Sequence, residues 1–165
     1  MKRGGTEPTT ISTIFSTRAN GEQVVALTGA IDENTDLQAL FAGFTGDIVL
    51  NLQNVERVNS MGVHRWIPIV TRFSSQHLLV IEQISYALVQ NANVVRNMFG
   101  SARVRSCMAP YFCAKCKNNC TMTVTDDEMA EAETPPLKHC GQCGSEMEFD
   151  ELDGYFSFFK IRPVK

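Results

Sequence analysis

Residues 47–66 read DIVLNLQNVERVNSMGVHRW, and the spacing of apolar residues changes within them. From 47 to 52 the side chains Ile48, Val49, Leu50 and Leu52 are nearly continuous, the pattern of a strand covered on both faces. From Ser60 to Phe73 the apolar residues are Val63, Trp66, Ile67, Val70 and Phe73, a single helical stripe. A buried strand followed by an amphipathic helix is the repeating unit of an α/β sheet, in which helices cross between parallel strands.

The pattern extends in both directions. Upstream, 11–18 (ISTIFSTR) and 22–31 (EQVVALTGAI) are rich in β-branched residues and flank Asn20-Gly21, which predicts an antiparallel hairpin. Thr35 and Gln38 form a capping-box pattern ahead of Leu37, Leu40, Phe41 and Phe44, predicting a helix of about ten residues that stops before Gly46. Downstream, 77–83 (HLLVIEQ) reads as a second buried strand, 86–99 as a third helix and 102–108 (ARVRSCM) as an edge strand. Pro68 removes one backbone donor and crowds the His64 carbonyl, which predicts a kink or a shorter central helix. The expected fold class is α/β, with a mixed sheet and helices over residues 10–108 after a flexible N-terminus at 1–9.

Composition agrees. The chain has 165 residues, 44% hydrophobic and 20% charged, which excludes a disordered chain and suits one domain or two small ones. No apolar run approaches the roughly 20 residues of a membrane span. The first ten residues, MKRGGTEPTT, lack the apolar core of a secretion signal, so a cytoplasmic protein is expected. A net charge of −3 argues against a polyanionic partner for the chain as a whole.

All six cysteines lie at or beyond Cys107. Residues 1–108 hold 9 basic and 8 acidic side chains and the remainder hold 6 and 10, so the second half is the acidic one. Ala109-Pro110 marks the change and a second domain over 110–165 is expected. Within it, Cys113-Ala-Lys-Cys116 and Cys140-Gly-Gln-Cys143 are separated by 23 residues. Two such knuckles supply the four thiolates that Zn²⁺ takes in structural sites, and Gly144 suits a knuckle turning with positive φ. The long spacer is absorbed by an acidic loop at 126–136, between strands expected at 121–125 and 147–152.

This half resembles a zinc ribbon, in which bound Zn²⁺ supplies much of the stability that about 50 residues cannot draw from apolar burial. Tyr111, Phe112, Phe149, Tyr155, Phe156, Phe158 and Phe159 would form its small core, with 155–161 (YFSFFKI) as a last strand; the alternative is a stacking surface for single-stranded nucleic acid. Cys120 and His139 are spare ligands beside a site that four cysteines already fill. Cys107 reads as a buried thiol, and His64 and His77 as structural.

The order of elements, together with VVALTGAID (24–32), residues 47–66 and LLVIEQ (78–83), resembles a STAS domain, the fold of bacterial anti-sigma factor antagonists and of the cytoplasmic tails of sulphate transporters. The most specific part is Asn59-Ser60-Met61-Gly62, which matches the family's Asp-Ser-x-Gly at a helix start, with Asn59 where the antagonists have Asp. The resemblance implies that residues 59–62 form a partner surface and that Ser60 is the position a partner kinase phosphorylates. From the residues alone, Ser60 at a helix start equally reads as a simple cap. The resemblance implies a protein partner: an anti-sigma kinase, a sensor kinase, another STAS protein or a second copy of the chain. An interaction module without enzymatic activity accounts for both halves. The alternative is a nucleic-acid binder acting through the ribbon, with Lys115, Lys117 and Lys138 as its foothold, which the acidic balance opposes. No triad, phosphate loop or carboxylate dyad suggests an enzyme, and a matched second pair of cysteines points to metal rather than thiol redox catalysis.

Overall fold

The computed structural model describes residues 11–131 and 134–160. The flexible N-terminus expected at 1–9 lies outside them. Strands β1 (Ser12–Thr17) and β2 (Gln23–Ile31) pair antiparallel. The hairpin closes with the Arg18 N–H donating to Glu22 O at 2.9 Å and the Gly21 N–H donating to Arg18 O at 2.9 Å. Only Gly21 takes positive φ, at 86°, while the Asn20 side chain accepts the Glu22 N–H. This is a three-residue loop with glycine in the left-handed position.

Strands β3 (Ile48–Val58), β4 (Leu79–Glu82) and β5 (Arg103–Val104) follow in parallel, giving the sheet order β1-β2-β3-β4-β5. Helices α1 (Leu37–Ala42), α2 (Ser60–Gln76) and α3 (Tyr86–Val94) make the crossovers. Phe41, Trp66, Val70 and Leu88 from these helices share one core with Val25, Leu27, Leu50, Leu52 and Ile81 from the sheet. The Trp66 indole N–H donates to Met98 O at 3.0 Å, so a fully buried ring keeps its one polar atom paired. The mixed α/β architecture expected from the sequence is therefore present.

Several boundaries differ from expectation. β3 does not stop at 52; two register shifts against β2 break the alternation beyond Asn51, and Val55 and Val58 pair opposite Gly29 and Ile31. α1 has six residues rather than ten and is capped by Asp36, which accepts the Ala39 N–H at 2.9 Å. The Thr35 hydroxyl instead donates to Ala30 O, tying the β2–α1 loop to its strand. α2 runs through Pro68, an exposed position, for a further two turns. α3 ends at Val94 rather than at 99.

The strand expected at 102–108 is two strands. Arg105 separates them, its N–H donating to Ile81 O at 2.7 Å in the first sheet and its carbonyl accepting the Asp126 N–H at 2.9 Å. β6 (Ser106–Cys113) then runs straight through Ala109-Pro110 into a second, antiparallel sheet. With β7 (Asn118–Thr125), β8 (Lys138–His139) and β9 (Glu146–Phe149) its order is β7-β6-β9-β8. The two sheets share a contiguous core in which Ile84 and Leu88 meet Cys107, Ala109, Tyr111 and Tyr155.

The acidic loop expected from 126 begins as a helix, α4 (Asp126–Glu131), closed by a reciprocal capping box in which Glu128 accepts the Thr125 N–H at 2.8 Å and Thr125 Oγ1 accepts the Glu128 N–H at 3.2 Å. The strand expected at 155–161 is a turn followed by a 3-10 helix (Ser157–Lys160), and residue 161 lies outside the described residues. Tyr155, Phe156 and Phe158 are nevertheless buried, and the Tyr155 hydroxyl donates to Met108 O at 2.6 Å.

At the turn end of the first hairpin, Glu22 accepts from Arg105 at 2.7 Å and from Arg18 at 3.0 Å, and buried Glu82 accepts from the same two arginines. The Arg105 and Arg18 guanidiniums hold the Glu22 carboxyl well below its usual 4.5, at about 2. A depressed folded-state pKa adds stability above the unfolded value, and that stability is lost as pH falls from about 4.5 towards 2. Melting temperatures of wild type and Glu22→Gln are thus expected to differ at neutral pH and to converge as pH approaches 2; a gap that persists unchanged at low pH would count against the linkage.

Candidate functional site

Two places in the fold gather the residues singled out by sequence. The first is the metal-type cluster. β6 delivers Cys113 to the end of its hairpin with β7, and the turn that follows carries Cys116. The β8–β9 hairpin carries Cys140 and Cys143, closed by the Gly144 N–H donating to Cys140 O at 2.8 Å and the Cys140 N–H donating to Ser145 O at 2.9 Å. The residue after each knuckle has positive φ: 69° at Gly144, as expected, and 56° at Lys117. Lys117 was not foreseen in this role, because lysine carries no sequence signal for a left-handed backbone.

The sulfurs of Cys113, Cys116, Cys140 and Cys143 all lie within 4.8 Å of one another. Cys113 and Cys143 approach to 3.5 Å, as do Cys116 and Cys140, and all six cysteines are free thiols. A disulfide needs about 2.05 Å. A tetrahedral ion with bonds of about 2.3 Å places its sulfurs about 3.8 Å apart, so these four can hold one metal ion. Local donors favour the thiolate: Ser145, by its backbone N–H and its side chain, draws Cys143 down to about 6, and the Gln142 and Cys143 N–H groups draw Cys140 down. The neighbouring Cys113 thiol pushes Cys116 up to about 12.

Cys120 stands outside the cluster, with its sulfur 3.8 Å from Met147 Sδ, and exposed His139 pairs in the ladder opposite Glu146. Cys107 is fully buried, and burial pushes its thiol up. Of the three lysines near the knuckles, Lys138 is engaged by Glu128 and Lys117 lies over the Phe112 ring at 5.7 Å. The outer face of β9 presents exposed Glu146 and Glu148, continued by Asp150. Phe112 thus faces away from the aromatic core that Tyr111, Phe149 and Tyr155 share.

The second place is the start of α2. The side chain of Asn59, not that of Ser60, caps the helix, accepting the Gly62 N–H at 2.8 Å, and the Asn59 N–H donates to Ile31 O at 3.2 Å. Ser60 is the first helical residue and is exposed, with no partner for its hydroxyl among the described residues. The simple-cap reading of Ser60 is therefore replaced. Met61 is half exposed, and Gly62 is buried against the carbonyl of Ile31. The β2–α1 loop lies alongside, its Glu33 side chain accepting from Asn59 Nδ2 and its carbonyl accepting from Arg65. That loop and α2 enclose a cleft lined by Asp36, Leu37, His64 and Pro68 among others. Sequence reading missed the loop's part, which depends on a contact between residues 26 positions apart.

Fold and site together define a mixed α/β protein, with two sheets and four α-helices among the described residues and a four-cysteine cluster able to hold a metal ion. Among the described residues no helix is long and apolar enough to cross a membrane. No protein-family model, curated protein or solved structure matches the chain.

Proposed function

We propose that this chain is a non-enzymatic, regulatory protein-interaction module of the STAS type, resembling anti-sigma factor antagonists, with a structural zinc ribbon as its second half. The observation that carries the reading is Ser60, whose unpartnered, exposed hydroxyl stands at the open end of a 17-residue helix. Unpaired backbone N–H groups and the helix dipole favour an added phosphate there, and the new charge changes what a partner meets at Asn59, Ser60 and Met61. The parallel run of strands behind an antiparallel first strand supports the same reading. The partner class is a protein: an anti-sigma kinase, a sensor kinase or another STAS protein.

In this reading Zn²⁺ is held by Cys113, Cys116, Cys140 and Cys143, and its chemistry is that of a closed structural site joining two hairpins. The basic foothold for nucleic acid is weakened by the engagement of Lys138 with Glu128, so binding to RNA or DNA is not part of the proposal.

The test is phosphate transfer and partner retention in extract from the chain's own source, using wild type, Ser60→Ala and Ser60→Asp. Wild type is expected to take up label from ATP and Ser60→Ala to take up none. Ser60→Asp is expected to change partner affinity at least tenfold while melting within a few degrees of wild type. Equal labelling of Ser60→Ala, or identical partner binding by all three proteins, would remove Ser60 from the function.

A further inference from the structure

The two edges of the first sheet are built differently. β5, at one edge, is two residues long, begins with Arg103 and is followed by Arg105, features that discourage pairing with another chain. β1, at the other edge, is six residues of uncharged STIFST with no proline, and its register with β2 runs unbroken from Ser12 to Thr17. It exposes Ile14 at 66% and Phe15 at 61%, on opposite faces of the strand. The long edge of the second sheet, β7, instead exposes Asn119 and Thr121.

The direction of β1's backbone groups follows from the hairpin. The Arg18 N–H donates inward to Glu22, so by antiparallel alternation Ser16, Ile14 and Ser12 also bond to β2. Thr13, Phe15 and Thr17 therefore direct their N–H and C=O groups outward, and among the described residues no strand meets them.

We propose that β1 is the interface for a second copy of this chain, joining the two first sheets edge to edge about a two-fold axis through Phe15. An axis perpendicular to the sheet must set a residue opposite one on its own face, and centring on Phe15 is the register that engages all three outward residues. Phe15 then faces Phe15 of the other copy, and Thr13 and Thr17 face each other twice, giving about six backbone hydrogen bonds. Arg18 falls opposite the other copy's Ser12, so no like charges meet, and its guanidinium is already drawn to Glu22 and Glu82. Each Phe15 ring leans edge-on to Phe44 of its own copy, with centroids 6.0 Å apart, so the joined rings extend an existing aromatic contact. The self-complementary register and the absence of charge favour a second copy over an unrelated peptide. One short strand buries less than the roughly 800 Å² per partner of a standard interface, so the dimer is reversible and depends on concentration. This surface is separate from Ser60, and the inference stands whether or not Ser60 is phosphorylated.

Sedimentation equilibrium and amide hydrogen exchange on the purified full chain test it. Wild type is expected to pass from monomer to dimer as concentration rises through the micromolar range. The amides of Thr13, Phe15 and Thr17 should gain protection over that range, whereas those of Ser12, Ile14 and Ser16 stay protected throughout. Thr13→Pro removes an outward N–H and leaves the β1–β2 ladder intact, and Phe15→Lys places two like charges at the axis. Each should weaken the dimer at least tenfold. A wild type that is monomeric at about 1 mM, a dimer unchanged in both variants, or exchange at Thr13, Phe15 and Thr17 that ignores concentration would overturn the proposal.

Discussion

Removing the metal from the purified protein with a strong chelator, or replacing Cys113 and Cys140 together by serine, is expected to melt the far end of the second sheet and to leave the first sheet folded. The prediction follows from where each end of that sheet finds its support. At its near end β6 sends Cys107 and Ala109 into the core shared with Leu88, and Tyr155 closes over it with a hydrogen bond to Met108. At its far end the β6–β7 turn and the β8–β9 hairpin meet chiefly through the four sulfurs, since β8 has two residues and β9 pairs with β6 at two positions. Four-thiolate binding of Zn²⁺ is worth about 10–16 kcal/mol in small zinc domains, far more than that limited pairing. Metal analysis should give about one zinc per chain. On chelation, amides in both knuckles, β8 and β9 should lose protection by at least a hundredfold, those around Cys107 and Ala109 should lose less, and Leu50, Leu52 and Ile81 should change little. A metal-free chain that keeps full protection across both knuckles would show that the sulfurs converge without an ion.

What the sequence made legible divides along physical lines. The cysteine cluster was readable because two residues between thiols fix a local geometry, and a matched second knuckle within one chain has few uses besides metal. Buried strands and helices were readable wherever apolar spacing was dense, as at Leu50, Leu52, Trp66 and Val70. Boundaries failed where tertiary pairing or a side-chain bond decided them. β3 continues past 52 through exposed Gln53, Asn54, Glu56 and Arg57, because β2 is long enough to pair with it out to Ile31 and Val58. Thr35 looked like a cap, yet its hydroxyl found the Ala30 carbonyl and left Asp36 to cap α1. The break at Arg105 has no local signature, since it comes from one residue bonding towards both sheets. α4 did have one: Thr125-Asp-Asp-Glu128 is a capping box, masked by the acidic composition around it. Tyr155 to Phe159 suggested a strand because aromatics favour strands, but Tyr-Phe-Ser-Phe-Phe has no period of two, and Gly154 at φ 92° turns the chain first.

Gly62→Ala is expected to be among the most damaging single substitutions in the chain. A methyl group at Gly62 would stand 2.1 Å from the Ile31 carbonyl oxygen and 2.8 Å from the Asp32 nitrogen. Both atoms are backbone, so no side-chain rotation relieves the overlap. α2 must instead lift from the end of β2, and the lift would loosen the Asn59 N–H bond to that same carbonyl. Val63, the next residue, and Trp66, one turn further along, would be drawn from the core with it. Overpacking of this kind costs about 3 kcal/mol at the upper end of its usual range, which for a chain of this size lowers the melting temperature by roughly 10 °C. Gly43→Ala is the matched control, because its added methyl would meet only Leu40 O at 3.4 Å, with φ at −80°. The glycine of Asn-Ser-x-Gly is therefore required by the seat of the helix, whatever Ser60 binds. The two roles separate experimentally: Ser60→Asp should change partner binding with little change in melting, whereas Gly62→Ala should lower both. A Gly62→Ala protein that melts within 2 °C of wild type, with Gly43→Ala doing the same, would mean that α2 is not seated on Ile31 as described.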